Sequence, residues 1–424
     1  MKRIMTLAAM FAAVAMTFSA CQPEDKPGNE GENNGQENVD PKPDEKPDDS
    51  GNTGNSGNTG TTTPDDKLAT EVNDGDDILV TNADVEKFLT DVHYEDHDYS
   101  HTDLLTWAEA NGVLVCPGKD TYKPQTYTIR WEADAEAGDV IVTLTEGEWS
   151  REFAVKAGGY YVEITNLVPN AHYSYEVKAG DKILESGEFD THGKVRQLYI
   201  KTEIRNCRDL GGWATADGKT VKYRMIYRGG RLDKSSLAAS GKEHFIAEGI
   251  KAQLDLRGKK HNDVIENKED SPLADLYEMD EFEFCAPIIE EGYTYLLKAG
   301  DKTKQVMQFI MDCVDAEMPV YFHCSLGRDR TGTVAMLILG LLGVPEGVIS
   351  QEYELTQFAP FGWATSSNES TKMTRLADYD SAANYIWDGY VAEGETFADG
   401  VEKYLLSIGI TQEDIDKFRE NMLK

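Results

Sequence analysis

Residues 319–332 read Pro319-Val320-Tyr321-Phe322-His323-Cys324-Ser325-Leu326-Gly327-Arg328-Asp329-Arg330-Thr331-Gly332. The run from Pro319 predicts a short strand that ends at His323. Five residues separate Cys324 from Arg330, and residues 331–342 are apolar nearly all round, which predicts a helix buried in a core. Strand, tight loop and buried helix put that loop at the carboxyl end of a strand in an α/β sheet. Such a loop turns backbone N–H groups toward one point at a helix N-terminus, a natural anion site. The same field favours a thiolate at Cys324, the nucleophilic form of cysteine. Arg330 offers a planar fork for two phosphate oxygens, and Gly327 lets the backbone approach an anion closely. A phosphocysteine intermediate follows from these parts. The chemistry calls for no cofactor and no metal, because backbone dipoles and Arg330 supply the positive charge.

The surroundings agree with an α/β domain over residues 195–424. Residues 250–257 read as a buried strand. Val306, Met307, Phe309, Ile310 and Cys313 mark one face of a helix over 303–314. Residues 407–423 predict a closing helix or two, with Thr411-Gln412-Glu413-Asp414 as a cap. The expected fold is therefore a mainly parallel sheet flanked by helices.

Residues 118–194 predict a small all-β sandwich. Strand patterns occur at 126–131, 140–144, 161–170 and 173–177. The spacing Leu167-x-Pro169-x-x-x-Tyr173-x-Tyr175-x-Val177 resembles fibronectin type III modules, in which a tyrosine packs at a strand corner. The expected role is a spacer that positions the domain after it, and a chain starting near Val195 is expected to keep its activity on a small substrate.

The first residues predict export. Lys2-Arg3 precedes a mostly apolar run over 4–17, and Phe18-Ser19-Ala20-Cys21 resembles a bacterial lipobox. Residues 1–20 then form a lipoprotein signal, Cys21 carries the lipid, and 21–67 form a disordered tether of Pro, Gly, Asn, Asp and Glu. The expected location is an exported lipoprotein, most simply in an outer membrane, held to the bilayer only by that anchor. Residues 68–117 read less clearly. Thr81-Asn82-Ala83-Asp84 fits the cap of a short helix through Val85, Phe88 and Leu89. His93, His97 and His101 repeat every four residues as metal ligands can, but their acidic surroundings read as a solvated loop.

Cys324-x5-Arg330 followed by Thr331 resembles the signature of tyrosine phosphatases. The fuller His323-Cys324-x-x-Gly327-Arg328-Asp329-Arg330-Thr331-Gly332 is similar to bacterial tyrosine phosphatases of the secreted mycobacterial PtpB and listerial LipA type. Asn206-Cys207-Arg208-Asp209-Leu210-Gly211-Gly212, Tyr227-Arg228-Gly229-Gly230 and Asp255-Leu256-Arg257 resemble further stretches of that family, in the same order. The resemblance implies a cysteine-phosphatase fold, Cys324 as nucleophile, Arg330 as phosphate clamp and Asp329 as general acid. No Trp-Pro-Asp segment, where other tyrosine phosphatases keep that acid, is present. Ser325, Leu326, Gly327, Arg328, Thr331 and Arg228 are then expected at the phosphate. His323, Arg208, Asp209 and Asp255 support the loop. Arg328 stands where the family usually has Lys, a cation linked there to phosphoinositide acceptance.

The formal net charge is −34, which makes nucleic acid a poor partner because phosphate contacts need clustered Lys and Arg. The expected partners are a phosphorylated protein, a phosphoinositide or a small phosphate ester, met by a monomer. Two other readings are a scavenger of inositol phosphates or small phosphometabolites, and a catalytically silent phosphate-binding or adhesion lipoprotein. Six cysteines are present, and their pairing does not follow from their spacing.

Overall fold

The computed structural model describes residues 77–97, 104–113, 115, 124–132, 138–200, 204–237, 239–259, 264–290, 294–359 and 377–424. All of them belong to one unit, Gly57–Lys424. The expectations for the signal, Cys21, the tether, His101 and Cys116 lie outside the described residues.

The α/β part is built on five strands: β8 (Arg208–Asp209), β9 (Ile226–Gly229), β10 (Ala252–Asp255), β11 (Glu283–Cys285) and β12 (Val320–His323), in the order β11-β10-β12-β9-β8. Pairings are parallel except β8 with β9. Every residue of β9, β10 and β12 is buried, as a parallel sheet covered on both faces requires. Helix α5 (Gly300–Asp315) lays Val306, Met307, Ile310, Met311 and Val314 against the sheet. Helix α6 (Asp329–Leu341) leaves the central strand β12 through the loop at 324–328 and is buried from Arg330 to Leu341. The helix starts two residues earlier than its apolar pattern, so Asp329 and Arg330 lie in its first turn. Helix α7 (Glu346–Glu354) packs against α6. Capping boxes start both α9 (Phe397–Ser407) and α10 (Gln412–Met422), the latter closed by Thr411 and Asp414.

The β part holds β2 (Tyr127–Arg130) and β5 (Tyr161–Ile164) in one sheet. The other is ordered β1-β7-β6-β3-β4, from β1 (Asp77–Leu79), β3 (Val140–Glu146), β4 (Trp149–Val155), β6 (His172–Ala179) and β7 (Lys182–His192). The sheets share one core, including Ile129, Val142, Ile164, Tyr173 and Phe189. The Tyr173 hydroxyl accepts a hydrogen bond from the Val168 amide at 2.9 Å, pinning the turn before its own strand.

The loop expected at 93–97 is there, with His93, Glu95, Asp96 and His97 exposed, but it is tied to the α/β core: Tyr94 is buried with its hydroxyl on Glu354, the His97 amide donates to Glu346 Oε2 at 2.9 Å, and the His97 ring stacks on Trp387. Helix α1 (Ala83–Asp91), capped by Asn82, and α2 (Leu104–Asn111) pack Val85, Phe88, Leu89 and Leu104 into the core of the α/β part. The sandwich is joined to the α/β part by buried polar contacts. Buried Arg196 donates to the carbonyl of Asn166 in the sandwich through Nε and Nη2, and to Asp209 (3.0 Å) and Glu248 (2.8 Å) on its own side of the junction. Arg224 crosses the other way, to Glu146 at 2.9 Å with its guanidinium 3.9 Å above the Trp149 ring.

Candidate active site

Cys324 sits at the base of the loop, 2% exposed. The loop's shape is held from outside, one carbonyl at a time. The Ser325 carbonyl accepts from the Arg231 amide at 3.0 Å. Asn206 Nδ2 donates to the carbonyls of Leu326 (3.1 Å) and Gly327 (3.0 Å). Arg228 Nη2 donates to the Gly327 carbonyl at 2.6 Å. In a planar trans peptide the C=O and the next N–H point opposite ways. Three carbonyls fixed outward therefore turn the amides of Leu326, Gly327 and Arg328 inward, at the mouth of the α6 N-terminus. Gly327 has φ +72°, and a Cβ there would lie 2.3 Å from the Gly229 carbonyl oxygen, so only glycine fits.

Arg330 is buried and donates from Nη1 to the Ile289 carbonyl at 3.0 Å, which fixes one corner of its guanidinium. Asp329 and Arg328 stand half-buried at the rim, Arg328 Nε donating to Asp329 Oδ1 at 2.5 Å. The Thr331 hydroxyl is buried, with no hydrogen-bond partner among the described residues.

His323 is fully buried, and burial holds its imidazole down to about 4. The neutral ring is in one tautomer: Nδ1 donates to the Cys324 carbonyl at 3.2 Å, and Nε2 accepts from Gln253 Nε2 at 2.9 Å. Gln253 is fixed in turn by the Leu232 carbonyl and the Ser271 hydroxyl. Asp255 pairs with Arg257 Nη2 at 2.8 Å and lies 3.9 Å from His323 Nδ1.

Arg228, expected at the phosphate, is 0% exposed and donates to the Gly327 carbonyl, so it braces the loop backbone. Arg208 has the supporting place expected of it, bonded to Glu352 and Asn206. Asp209 ties down Arg196 and the Gly211 amide at the junction with the sandwich, one strand from the loop. The cysteines at 207, 285, 313 and 324 are all free thiols. Cys207, where the related stretch has Phe, is a small buried apolar residue whose thiol burial pushes up. Among the described residues no cluster of three His, Cys, Asp or Glu side chains could hold a metal ion, and no helix is long and apolar enough to cross a membrane.

Two residues of this frame are given no role by the sequence reading. Asn206 opens the family-like stretch 206–212, and in the structure it holds a left-handed φ of 58°, which asparagine tolerates well. Glu352, 1% exposed, lies in no such stretch.

A sequence profile of the tyrosine phosphatase family matches residues 201–424, more than half of the chain and the whole of this site. The chain belongs to the tyrosine phosphatase family. It is 28% identical over 172 residues to a protein of Cupriavidus necator named as a tyrosine-protein phosphatase, covering 35% of this chain and 59% of that one. It is 33% identical over 128 residues to a tyrosine-protein phosphatase of Nostoc commune, covering 27% and 42%. The chain thus spans about half the length of these relatives. Among solved structures, the core catalytic domain of the S. cerevisiae PP-IP phosphatase SIW14 matches at 13% identity and TM-score 0.24, over 38% of this chain and 86% of that one. TpbA of P. aeruginosa matches at 15% and 0.25, over 47% and 97%.

Proposed function

We propose that the protein is an exported, lipid-anchored phosphatase that hydrolyses phosphate monoesters through a phosphocysteine at Cys324. The substrate class is phosphotyrosine, extended to phosphoserine, phosphothreonine or phosphoinositides. The observation that carries the reading is the loop whose carbonyls are pulled outward by Arg231, Asn206 and Arg228 around buried Cys324.

A phosphate in the loop is held by the inward amides and Arg330. The Cys324 thiolate attacks phosphorus in line with the ester oxygen, forming the S–P bond as the P–O bond breaks. Asp329, at the rim, delivers the proton to the leaving oxygen. Its carboxylate then takes a proton from water, whose oxygen attacks phosphorus. The S–P bond breaks, releasing inorganic phosphate and the thiolate. Thr331, its hydroxyl buried beside the loop, eases departure by hydrogen-bonding the sulfur.

The finer placement, with the secreted PtpB and LipA type, rests on the Gly327-Arg328-Asp329-Arg330 run. The fibronectin type III reading of 118–194 is supported by the Tyr173 corner and by two sheets ordered β2-β5 and β7-β6-β3-β4. Export and lipidation at Cys21 rest on the leader and lipobox-like run alone. A phosphate-release panel spanning phosphotyrosine, phosphoserine and phosphothreonine peptides, phosphoinositides and inositol phosphates tests the substrate class. Release from tyrosine peptides supports it, and release from inositol phosphates alone overturns it.

A further inference from the structure

Arg208 and Arg228 face each other directly across β8 and β9. Both are buried, and like charges in that register repel. One carboxylate serves both: Glu352 Oε1 accepts from Arg208 Nε and Oε2 from Arg228 Nη1, each at 2.6 Å. Burial, and then Arg208 opposite, hold Arg228 down to about 10, so it is still charged at neutral pH. Two cations and one anion leave a surplus positive charge out of water, which is costly unless another anion faces it. The surplus lies directly under the phosphate loop, because Arg228 also holds the Gly327 carbonyl.

We propose that Arg208, Glu352 and Arg228 form a fixed cationic element beneath the loop that stabilises negative charge at Cys324, with Glu352 setting its strength. Glu352 acts through the two arginines, so it is a positioning residue. The inference rests on Cys324 being the nucleophile.

Other charged or titratable groups face Cys324 from each neighbouring element, and most of them cancel. On β12, Tyr321 is neutral, its hydroxyl pushed up by burial, and His323 is neutral too. Beyond β10, Asp255 and Arg257 pair with each other, as do Arg231 and Asp233 after β9. At the rim Arg328 pairs with Asp329. Before β8, burial keeps Cys207 a thiol, and Tyr353 comes from α7. Arg330 is the other surplus cation, and it meets the substrate itself.

The test is alkylation of the full chain by iodoacetamide, a neutral reagent, as a function of pH, with the modified cysteine mapped by mass spectrometry. Glu352→Gln raises the element's charge by one, and Arg228→Gln lowers it by one. The midpoint for Cys324 should fall by about one pH unit in the first and rise by about one in the second. A purely bracing role moves both the same way, since both variants break the Arg228–Glu352 bond that holds Arg228 under the loop. The double variant Arg208→Met with Glu352→Gln keeps the charge and should return the wild-type midpoint, even where Glu352→Gln alone does not fold. Shifts of the same sign, no shift in folded variants, or a moved double variant overturn the inference while Cys324 remains the nucleophile. If Cys324 is not alkylated in the wild type, the nucleophile reading fails and takes this inference with it.

Discussion

Deleting residues 1–194 removes part of the phosphatase core. Val85, Phe88, Leu89, Tyr94 and Leu104 are all buried in or against it. At ~1.5–3 kcal/mol per fully buried large apolar side chain, the five contribute ~8–15 kcal/mol, an upper figure because unfolded chains already hide some surface. Whole domains are stable by only ~5–15 kcal/mol. The deletion also strips the Asn166 carbonyl from buried Arg196 and the Tyr94 hydroxyl from buried Glu354. A chain starting at Val195 should therefore fail to melt cooperatively and should lose its rate on an aryl phosphate. One starting at Asp77 should keep both. Thermal unfolding by circular dichroism and a p-nitrophenyl phosphate assay on the two chains decide it. A Val195 chain that melts cooperatively within ~5 °C of the longer one, a difference worth only about 2 kcal/mol at this size, and with an equal rate, would refute the reasoning.

Three further predictions concern the loop. Asp329→Asn should slow hydrolysis of phosphotyrosine by ~10²–10⁴-fold and of p-nitrophenyl phosphate much less, since general acid help matters only for a poor leaving group. Equal losses on both would send the search for the acid to residues 278–291, where Glu290 Oε1 accepts from the Lys259 amide. Gly327→Ala should cut kcat/KM by at least ~10²-fold, because a left-handed φ costs ~1–2 kcal/mol and its Cβ meets the Gly229 carbonyl; a near-normal rate would show that the loop is pliable. His323 is held below its unfolded value of about 6.5, so the unfolded chain binds the extra proton first and stability should fall as pH drops from about 6.5 to about 4. Urea midpoints across that range should show a loss of a few kcal/mol (about 3 at most) that His323→Gln flattens; an unchanged slope in that variant would assign the loss elsewhere.

The parts legible in the sequence are those whose chemistry is local. Strand, loop and helix over 319–342 follow from apolar periodicity and one glycine, and the Thr411 cap from four adjacent residues. Strands β4 and β7 were missed because one alternates only half-buried residues and the other is mostly exposed. Long-range partners were not legible either. Glu352 lies in Gln351-Glu352-Tyr353-Glu354, which reads as a wet helix, and is buried only because arginines 144 and 124 residues away meet it there. The same holds for Arg228, whose motif suggested the substrate and whose side chain holds the Gly327 carbonyl. The stretch at 93–97 is exposed as its acids suggest, apart from Tyr94, whose burial and bond to Glu354 depend on a partner far along the chain.

The central claim is that phosphate passes through Cys324. Rapid acid quenching of the enzyme turning over an aryl phosphate, followed by peptide mass spectrometry, reads this directly. The wild type should carry one phosphoryl group on the peptide containing Cys324, and Cys324→Ser should carry none and release no phosphate. Turnover by Cys324→Ser, or phosphate trapped on any other residue, would contradict the account.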